Sequence, residues 1–285
     1  MESIWRSRVG GCYKNERGGG GVHKIEKNVV QGIVRRNREI HPGIFKLELE
    51  VGRQPSFMEY QPGQFVNVYL GEKDLLLPRP LSISMYQDGL LCLVYQVIGA
   101  GTLRLAKRGV GDGLAVSSPL GKGFVIKNNQ KVWIVAGGCG IAPLPGLCRR
   151  LVDMGCEIAA YIGFRQEAFL LEEVEKFCKQ VHVASQKGTM GYQGTVLDLL
   201  QDRGKQNPPN QMYACGPKEM LREISKYAVK EEVDIQVSLE ERMGCGYGAC
   251  LGCSVWIRDP VLVRRKVCCD GPVFDGKKVV WDDET

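Results

Sequence analysis

Between residues 22 and 126, apolar and polar positions alternate in short runs broken by turn residues: NVVQGIVRR, GIFKLELEV, GQFVNVYL, PLSISMY, LLCLVYQVI and GLAVSSPLG. Alternation of period two over such lengths predicts strands, and their close spacing predicts a small antiparallel barrel or sandwich. One stretch breaks the rhythm. TLRLAKRG, 102–109, carries apolar residues at helical spacing and ends on glycine, so it predicts a single short helix. From residue 130 the period changes. The apolar runs KVWIVAGG, EIAAYIGFR and QMYACG are followed by the amphipathic stretches LPGLCRRLVDMG, LLEEVEKFCKQ and PKEMLREISKYAVKE. Strands alternating with helices in this way predict a parallel sheet covered by helices on both faces. After DIQVSLEERM the helical spacing stops, and residues 240–285 are rich in glycine and cysteine with one β-like segment, SVWIR. A segment of that size cannot build its own core and needs a staple such as a metal. The expected organisation is a leader over 1–21, a β-barrel over 22–126, an α/β domain over 127–238 and a small cysteine-bearing module over 239–285, without internal repeats.

Composition narrows the class. With 285 residues, 44% hydrophobic and 25% charged, the chain has the profile of an ordinary globular protein, neither disordered nor fibrous. The net charge of +6 is spread along the sequence, and the local cluster RRNR at 35–38 accompanies no recognition motif, so nucleic acid is not an expected partner. The most apolar stretch, VWIVAGGCGIAPLPGLC at 132–148, is too short for a membrane span and is interrupted by glycines, Pro143 and Pro145. The first residues lack the apolar core of a secretory signal, and the glycine run 18–21 predicts a flexible leader, so a cytoplasmic setting is expected. In that reducing compartment twelve cysteines do not imply disulfides. Cys92, Cys148, Cys156 and Cys178 read as small core residues, and Cys12 falls in the leader.

Five of the twelve cysteines are packed into ERMGCGYGACLGCSVWIRDPVLVRRKVCCDGPVF, 241–274. Cys245, Cys250 and Cys253 make the pattern C-x4-C-x2-C, with one of the adjacent pair Cys268 and Cys269 to complete it. This is the plant-type [2Fe–2S] spacing. A loop curls around two irons and delivers thiolates from one side, while a distant residue supplies the last. Gly244, Gly246, Gly248 and Gly252 permit the curl and let N–H groups turn toward sulfur. A structural zinc would favour two tight C-x2-C pairs, and here only Cys250 and Cys253 form one. The spacing by itself does not choose between Cys268 and Cys269.

Four further stretches point to flat, phosphorylated ligands. In RPLS, 79–82, an arginine beside a proline-stiffened turn can hold a phosphate while the strand backbone faces a ring. GAGT, 99–102, opens the barrel's lone helix with small residues that leave N–H groups free for a diphosphate. VAGGCGIAPL, 135–144, joins strand to helix through Gly137, Gly138 and Gly140; it is not the G-x-G-x-x-G fingerprint, but it allows the same close backbone approach. YACGPKEML, 213–221, sets Cys215, Gly216 and Pro217 at the end of a later strand, where parallel sheets gather ligand contacts. Arg165 follows another strand and is a candidate for a ribose phosphate or a loop cap.

SLEERMGCGYGACLGCSV together with KVCCDGPVF resembles the electron-transfer subunit of bacterial NAD-dependent dihydroorotate dehydrogenase, and the resemblance extends over roughly 22–285. It implies that the last cluster ligand is Cys268, in a VC-x-DGPVF pattern, and that the metal set is Cys245, Cys250, Cys253 and Cys268. The order of the other motifs resembles ferredoxin-reductase-like flavoproteins. That likeness implies an FAD held by Arg79, Pro80, Leu81 and Ser82, lined by Val94, Tyr95 and Gln96, with its phosphates at Gly101 and Thr102. It implies an NAD site at Gly137, Gly138 and Gly140, with the Cys215-Gly216-Pro217 edge facing nicotinamide and flavin. The fold class is then a flavin-binding antiparallel β-barrel, a parallel-sheet nucleotide-binding domain and a C-terminal iron–sulfur module. Flavin is the converter between hydride and single-electron transfer. The implied partner is an FMN-containing catalytic subunit that oxidises dihydroorotate, in a heterotetramer of two subunits of each kind. No catalytic acid, base or nucleophile is expected in this chain. Two alternatives stand beside it: the small subunit of an NADP-linked ferredoxin reductase or sulfide dehydrogenase complex, whose family replaces one cysteine ligand by an acid, and a redox-inert scaffold stapled by zinc.

Overall fold

The computed structural model describes residues 29–71, 74–165, 167–188, 190–204 and 208–281; the leader expected over 1–21, with Cys12, lies outside them. Six antiparallel strands, β1 (Val29–His41), β2 (Ile44–Glu50), β3 (Phe65–Tyr69), β4 (Arg79–Gln87), β5 (Leu90–Gln96) and β6 (Gly113–Ser117), close into a barrel in the order β1-β2-β5-β4-β3-β6. The period-two alternation sends Leu47, Leu49, Val66, Val68, Leu91 and Leu93 inward, where each is completely buried. A short turn of helix, α1 (Pro55–Met58), and the expected α2 (Ala100–Ala106) lie between strands. Leu105 of α2 enters the barrel core, and Asn37 Nδ2 donates to the carbonyls of Leu105 and Arg108, satisfying the end of that helix.

β3 departs from the simple in–out pattern. Val66 and Val68 fill the barrel, yet outward-facing Phe65 and Asn67 are also buried. A strand buried on both sides must have something packed on its outer face, and that something is the cysteine-bearing segment.

The α/β domain comprises β7 (Lys131–Gly137), α3 (Leu144–Asp153), β8 (Glu157–Phe164), α4 (Leu171–Glu175), β9 (Gln180–Ser185), β10 (Tyr192–Gln193), α5 (Val196–Arg203), β11 (Gln211–Cys215), α6 (Lys218–Lys230) and β12 (Asp234–Ser238). The cysteine segment adds the hairpin β13 (Ser254–Arg258) and β14 (Leu262–Lys266), then β15 (Val273–Asp275). The large sheet runs β10-β9-β8-β7-β11-β12-β15, with every pairing parallel except β12 with β15. The cysteine segment therefore returns to finish the nucleotide-domain sheet, with Ser238 opposite Val273 and Gln236 opposite Asp275. One face of the sheet packs Ile134 and Leu147 against Ile44 and Val94 of the barrel. The other covers Val135 with α5 and α6, and its core continues into Cys253, Val267, Cys268 and Phe65. No helix among the described residues is long and apolar enough to cross a membrane.

A partly buried ion pair also ties barrel to α/β domain: Lys46 Nζ donates to Glu173 Oε1 of α4 at 2.8 Å. Burial alone would lower the Lys46 ammonium, but the bond to Glu173 and nearby negative charge outweigh it and hold its pKa up. Burial likewise would raise the Glu173 carboxyl, but Lys46 outweighs it and holds it down. Glu173→Gln is expected to cost about 1 kcal/mol near neutral pH, a fall of roughly 2–4 °C in melting temperature. Because the folded carboxyl titrates below its unfolded value, the gain is present above the ordinary glutamate range and fades as pH falls through the lowered value. Melting curves of parent and variant should therefore separate near neutrality and converge in acid.

Candidate functional site

The two phosphate motifs, far apart in sequence, meet in the barrel. The Arg79 guanidinium lies over the first turn of α2 so closely that a Cβ on Gly101 would stand 1.8 Å from its Nε. Only glycine admits the arginine there. Its Nη1 also donates to the Leu77 carbonyl at 2.7 Å, which fixes the side chain at the strand entrance. Thr102 Oγ1 accepts the N–H groups of Ile98 and Gly99, at 3.0 and 3.2 Å, and so shapes the turn that leads into α2. A fixed cation beside a backbone turn that tolerates no side chain fits the diphosphate of a flavin nucleotide. Pro80, Leu81 and Ser82 continue along β4, all half-buried.

The segment expected to line the flavin divides in three. Val94 is buried against the α/β domain. The Tyr95 side chain turns into the barrel, stacks on Phe45 and donates its hydroxyl to Asn37 Oδ1 at 3.0 Å, so only its backbone is left to face a ligand. Burial pushes that phenol up to about 12. Gln96 is exposed and accepts a thiol contact from Cys139, Sγ to Oε1 3.8 Å, which links the barrel to the glycine turn of the second domain.

That glycine turn is a single 3-10 turn, Gly138–Ile141, following β7. Adjacent strands β7 and β11 pair Ala136 with Cys215, so both nucleotide motifs emerge side by side at one sheet edge. They touch through bare backbone: a Cβ on Gly140 would lie 2.3 Å from the Cys215 carbonyl oxygen, and one on Gly137 would lie 3.1 Å from Pro217 Cδ. The Cys215 thiol is buried, and burial together with nearby Glu240 holds its pKa far up, which makes it a poor nucleophile. Cys139 is pushed up to about 11, by burial first and Glu240 second. Arg165 ends at the same edge, where its carbonyl accepts the N–H of Lys187 at 3.2 Å.

The cluster cysteines converge as two pairs. Cys250 contacts the Cys245 side chain and receives the N–H groups of Cys245 and Gly252, which draw its thiol down to about 7. Cys268 contacts Cys269 and Cys253, and those neighbours together with burial raise its thiol. Backbone N–H groups already point at the sulfurs: Tyr247 donates to Cys245 Sγ at 3.3 Å and Gly248 to Cys268 Sγ at 3.2 Å. Two thiol pairs, each within reach of loop N–H donors, fit a diiron core in which each iron would take two protein sulfurs. Cys269 Sγ lies 3.8 Å from Cys268 Sγ, beneath Gly248, where a Cβ would approach it to 2.5 Å.

The sequence reading missed the residues that dock this loop. Asn67 Nδ2 donates to the Cys245 carbonyl at 3.2 Å, and the hydroxyls of Tyr69 and Tyr247 meet directly. β3 is also the neighbour of β4, with Asn67 opposite Pro80 and Val68 opposite Arg79. The available signal was the amide in FVNVY, a polar residue at the centre of an apolar strand. Glu240 was missed as well; it follows β12 at the ligand edge, and although its side chain reaches solvent, the protein packed around it raises its carboxyl.

Residues 240–280 match the iron–sulfur cluster binding domain of dihydroorotate dehydrogenase B, and residues 134–226 match the oxidoreductase NAD-binding domain. The electron transfer subunit of dihydroorotate dehydrogenase B (NAD(+)) from Desulforamulus reducens is 39% identical over 228 residues, 78% of this chain and 87% of that one. The corresponding subunit of Caldanaerobacter subterraneus subsp. tengcongensis is 36% identical over 250 residues, 87% of this chain and 97% of that one. Among solved structures, an NADH-dependent reduced ferredoxin-NADP oxidoreductase superposes with a TM-score of 0.77 at 28% identity, covering 88% of this chain and 90% of that one. A flavohemoglobin from Malassezia yamatoensis, with bound FAD and heme, shares the fold at a TM-score of 0.61 and 18% identity, over 72% of this chain and 57% of that one.

Proposed function

Because this chain belongs to the family of dihydroorotate dehydrogenase B (NAD(+)) electron transfer subunits, we propose that it passes electrons from a partner subunit that oxidises dihydroorotate, through [2Fe–2S] and FAD, to NAD+. The observation that carries the reading is the cysteine loop seated on β3, one strand from RPLS, while the two nucleotide motifs meet at a single sheet edge. When bound, FAD supplies the change from two-electron hydride transfer to single-electron transfer. The protein's share is placement. Arg79 and the Gly101 turn hold the flavin phosphates, and Pro80 to Ser82 with the backbone of 94–96 border its ring. Gly137, Gly138 and Gly140 let the NAD phosphates approach the backbone, and the Cys215-Gly216-Pro217 edge faces the nicotinamide and flavin. Cys245, Cys250, Cys253 and Cys268 grip the irons, and loop N–H groups offset the negative charge on sulfur. No acid or base is needed at this chain's site.

The partner of this subunit is a catalytic one; we take it to contain FMN and to assemble with this chain as a heterotetramer of two subunits of each kind. Leu251 and Cys250 are exposed beside the cluster, which suits a face turned toward that partner. We place the complex in the cytoplasm, whose reducing conditions keep cysteine ligands available for iron. The purified chain should be yellow-brown, with one FAD and about two irons per chain. Mixed with the FMN subunit, it should reduce NAD+ at the expense of dihydroorotate. Colourless protein carrying a single zinc would return the scaffold reading, and turnover with reduced ferredoxin but not dihydroorotate would favour the ferredoxin reductase alternative.

A further inference from the structure

β3 spends a buried amide where a hydrocarbon would pack. Asn67 is completely buried in a barrel wall whose neighbours on the strand are Val66 and Val68. An amide in that setting costs stability unless its hydrogen bonds are met. Its backbone N–H is satisfied by Ser117 Oγ at 2.9 Å, and its Nδ2 reaches out of the barrel to the Cys245 carbonyl. Gly246 makes this approach possible. At φ +70° its bare Cα lies against the amide, and a Cβ would stand 2.5 Å from Nδ2 and 2.9 Å from Oδ1. Two residues along the same outward face, the Tyr69 hydroxyl meets the Tyr247 hydroxyl, and the Tyr247 N–H is the group that donates to Cys245 Sγ. The two contacts bracket one ligand. Asn67 fixes its carbonyl, and Tyr69 fixes the residue whose N–H holds its sulfur.

We propose that Asn67 and Tyr69 are positioning residues that set the separation and orientation of the cluster relative to the flavin. The inference rests on the electron-transfer reading above. Its physical basis is that β3 is hydrogen-bonded to β4, so the strand that holds Cys245 in register also holds RPLS, with Asn67 opposite Pro80. A loop docked only by apolar contact at Phe65 could slide by a fraction of a side chain; two directional polar contacts to one strand remove that freedom.

The test uses the full-length chain loaded with iron, sulfide and FAD, and the variants Tyr69→Phe and Asn67→Leu. Tyr69→Phe preserves the ring and removes only the hydroxyl. Three quantities are read: iron and flavin per chain, the electron paramagnetic resonance spectrum of the reduced cluster, and the single-turnover rate at which NADH-reduced flavin reduces the cluster. Both variants should keep iron and FAD, show an altered resonance spectrum, and reduce the cluster severalfold more slowly, because electron transfer falls off exponentially with the distance between the two centres. A Tyr69→Phe protein with the parent spectrum and the parent rate would overturn the inference, whether or not Asn67→Leu folds. Parent protein that binds FAD but no iron would instead defeat the electron-transfer reading itself, and the inference with it.

Discussion

Cys268→Ser is expected to leave the protein without its cluster, whereas Cys269→Ser should retain about two irons per chain. Both sulfurs lie near the loop, so the distinction rests on what surrounds each. Cys268 is almost fully buried, receives the Gly248 N–H, and contacts Cys253, the cysteine it would join on one iron. Cys269 is half-buried, with its sulfur against that of Cys268 and close under Gly248, where a Cβ would approach it to 2.5 Å. A serine hydroxyl at 268 surrenders its proton far less readily than a thiol and binds iron poorly at neutral pH, so one of four ligands is lost. The measurement is iron and acid-labile sulfide per chain after anaerobic purification, with absorption in the visible as a second readout. The reverse pattern, with iron lost on substitution of Cys269, would move the ligand one residue along.

Arg79→Ala should weaken FAD binding by roughly tenfold to a hundredfold, the equivalent of losing about 1.5–3 kcal/mol of charge-assisted hydrogen bonding to phosphate. The side chain is already held where it is needed, against Gly101 and the Leu77 carbonyl, so little ordering cost remains when the diphosphate binds. Arg79→Lys should recover only part of the loss, because a point charge replaces a planar fork. Gly101→Ala is expected to mimic Arg79→Ala without touching the arginine, since the new methyl occupies the guanidinium's position. Flavin per chain after gel filtration, and equilibrium titration of the apoprotein with FAD, measure all three. Unchanged retention in Arg79→Ala would remove this residue from the flavin site.

Most of the architecture was legible because alternation and helical spacing are local properties. All six barrel strands and α2 follow from that pattern, as do β7, β8 and β11. β9, β10 and α5 were not anticipated, although QVHVAS alternates and Thr195 with Asp198 forms a capping box before α5. LLEEVEKFCKQ yields only the short α4, because the chain turns back into β9 after Cys178, whose thiol donates to the Ile158 and Gln180 carbonyls. The cysteine spacing and the glycine turns could be picked out because the chemistry proposed for them demands particular residues at fixed spacing. What the sequence concealed is long-range: Asn67 touching Cys245, Arg79 lying on Gly101, Tyr95 turning inward, and β15 joining a sheet from across the cysteine segment. A three-residue strand such as VFD has no periodicity to read, and its place is decided by the edge it finds.

That edge bears on how the molecule can be dissected. β12 would be the rim of the parallel sheet if the chain stopped at Ser238, and its amides and carbonyls between Gln236 and Ser238 would lose the partners that Val273–Asp275 now supply. Exposed rims recruit other rims, so a trimmed flavin reductase made by deleting the iron-binding tail would trade its lost redox centre for self-association. The tail is thus a cover for its host as well as a wire, and a minimal version would have to keep residues 272–281 or substitute another strand to seal the side.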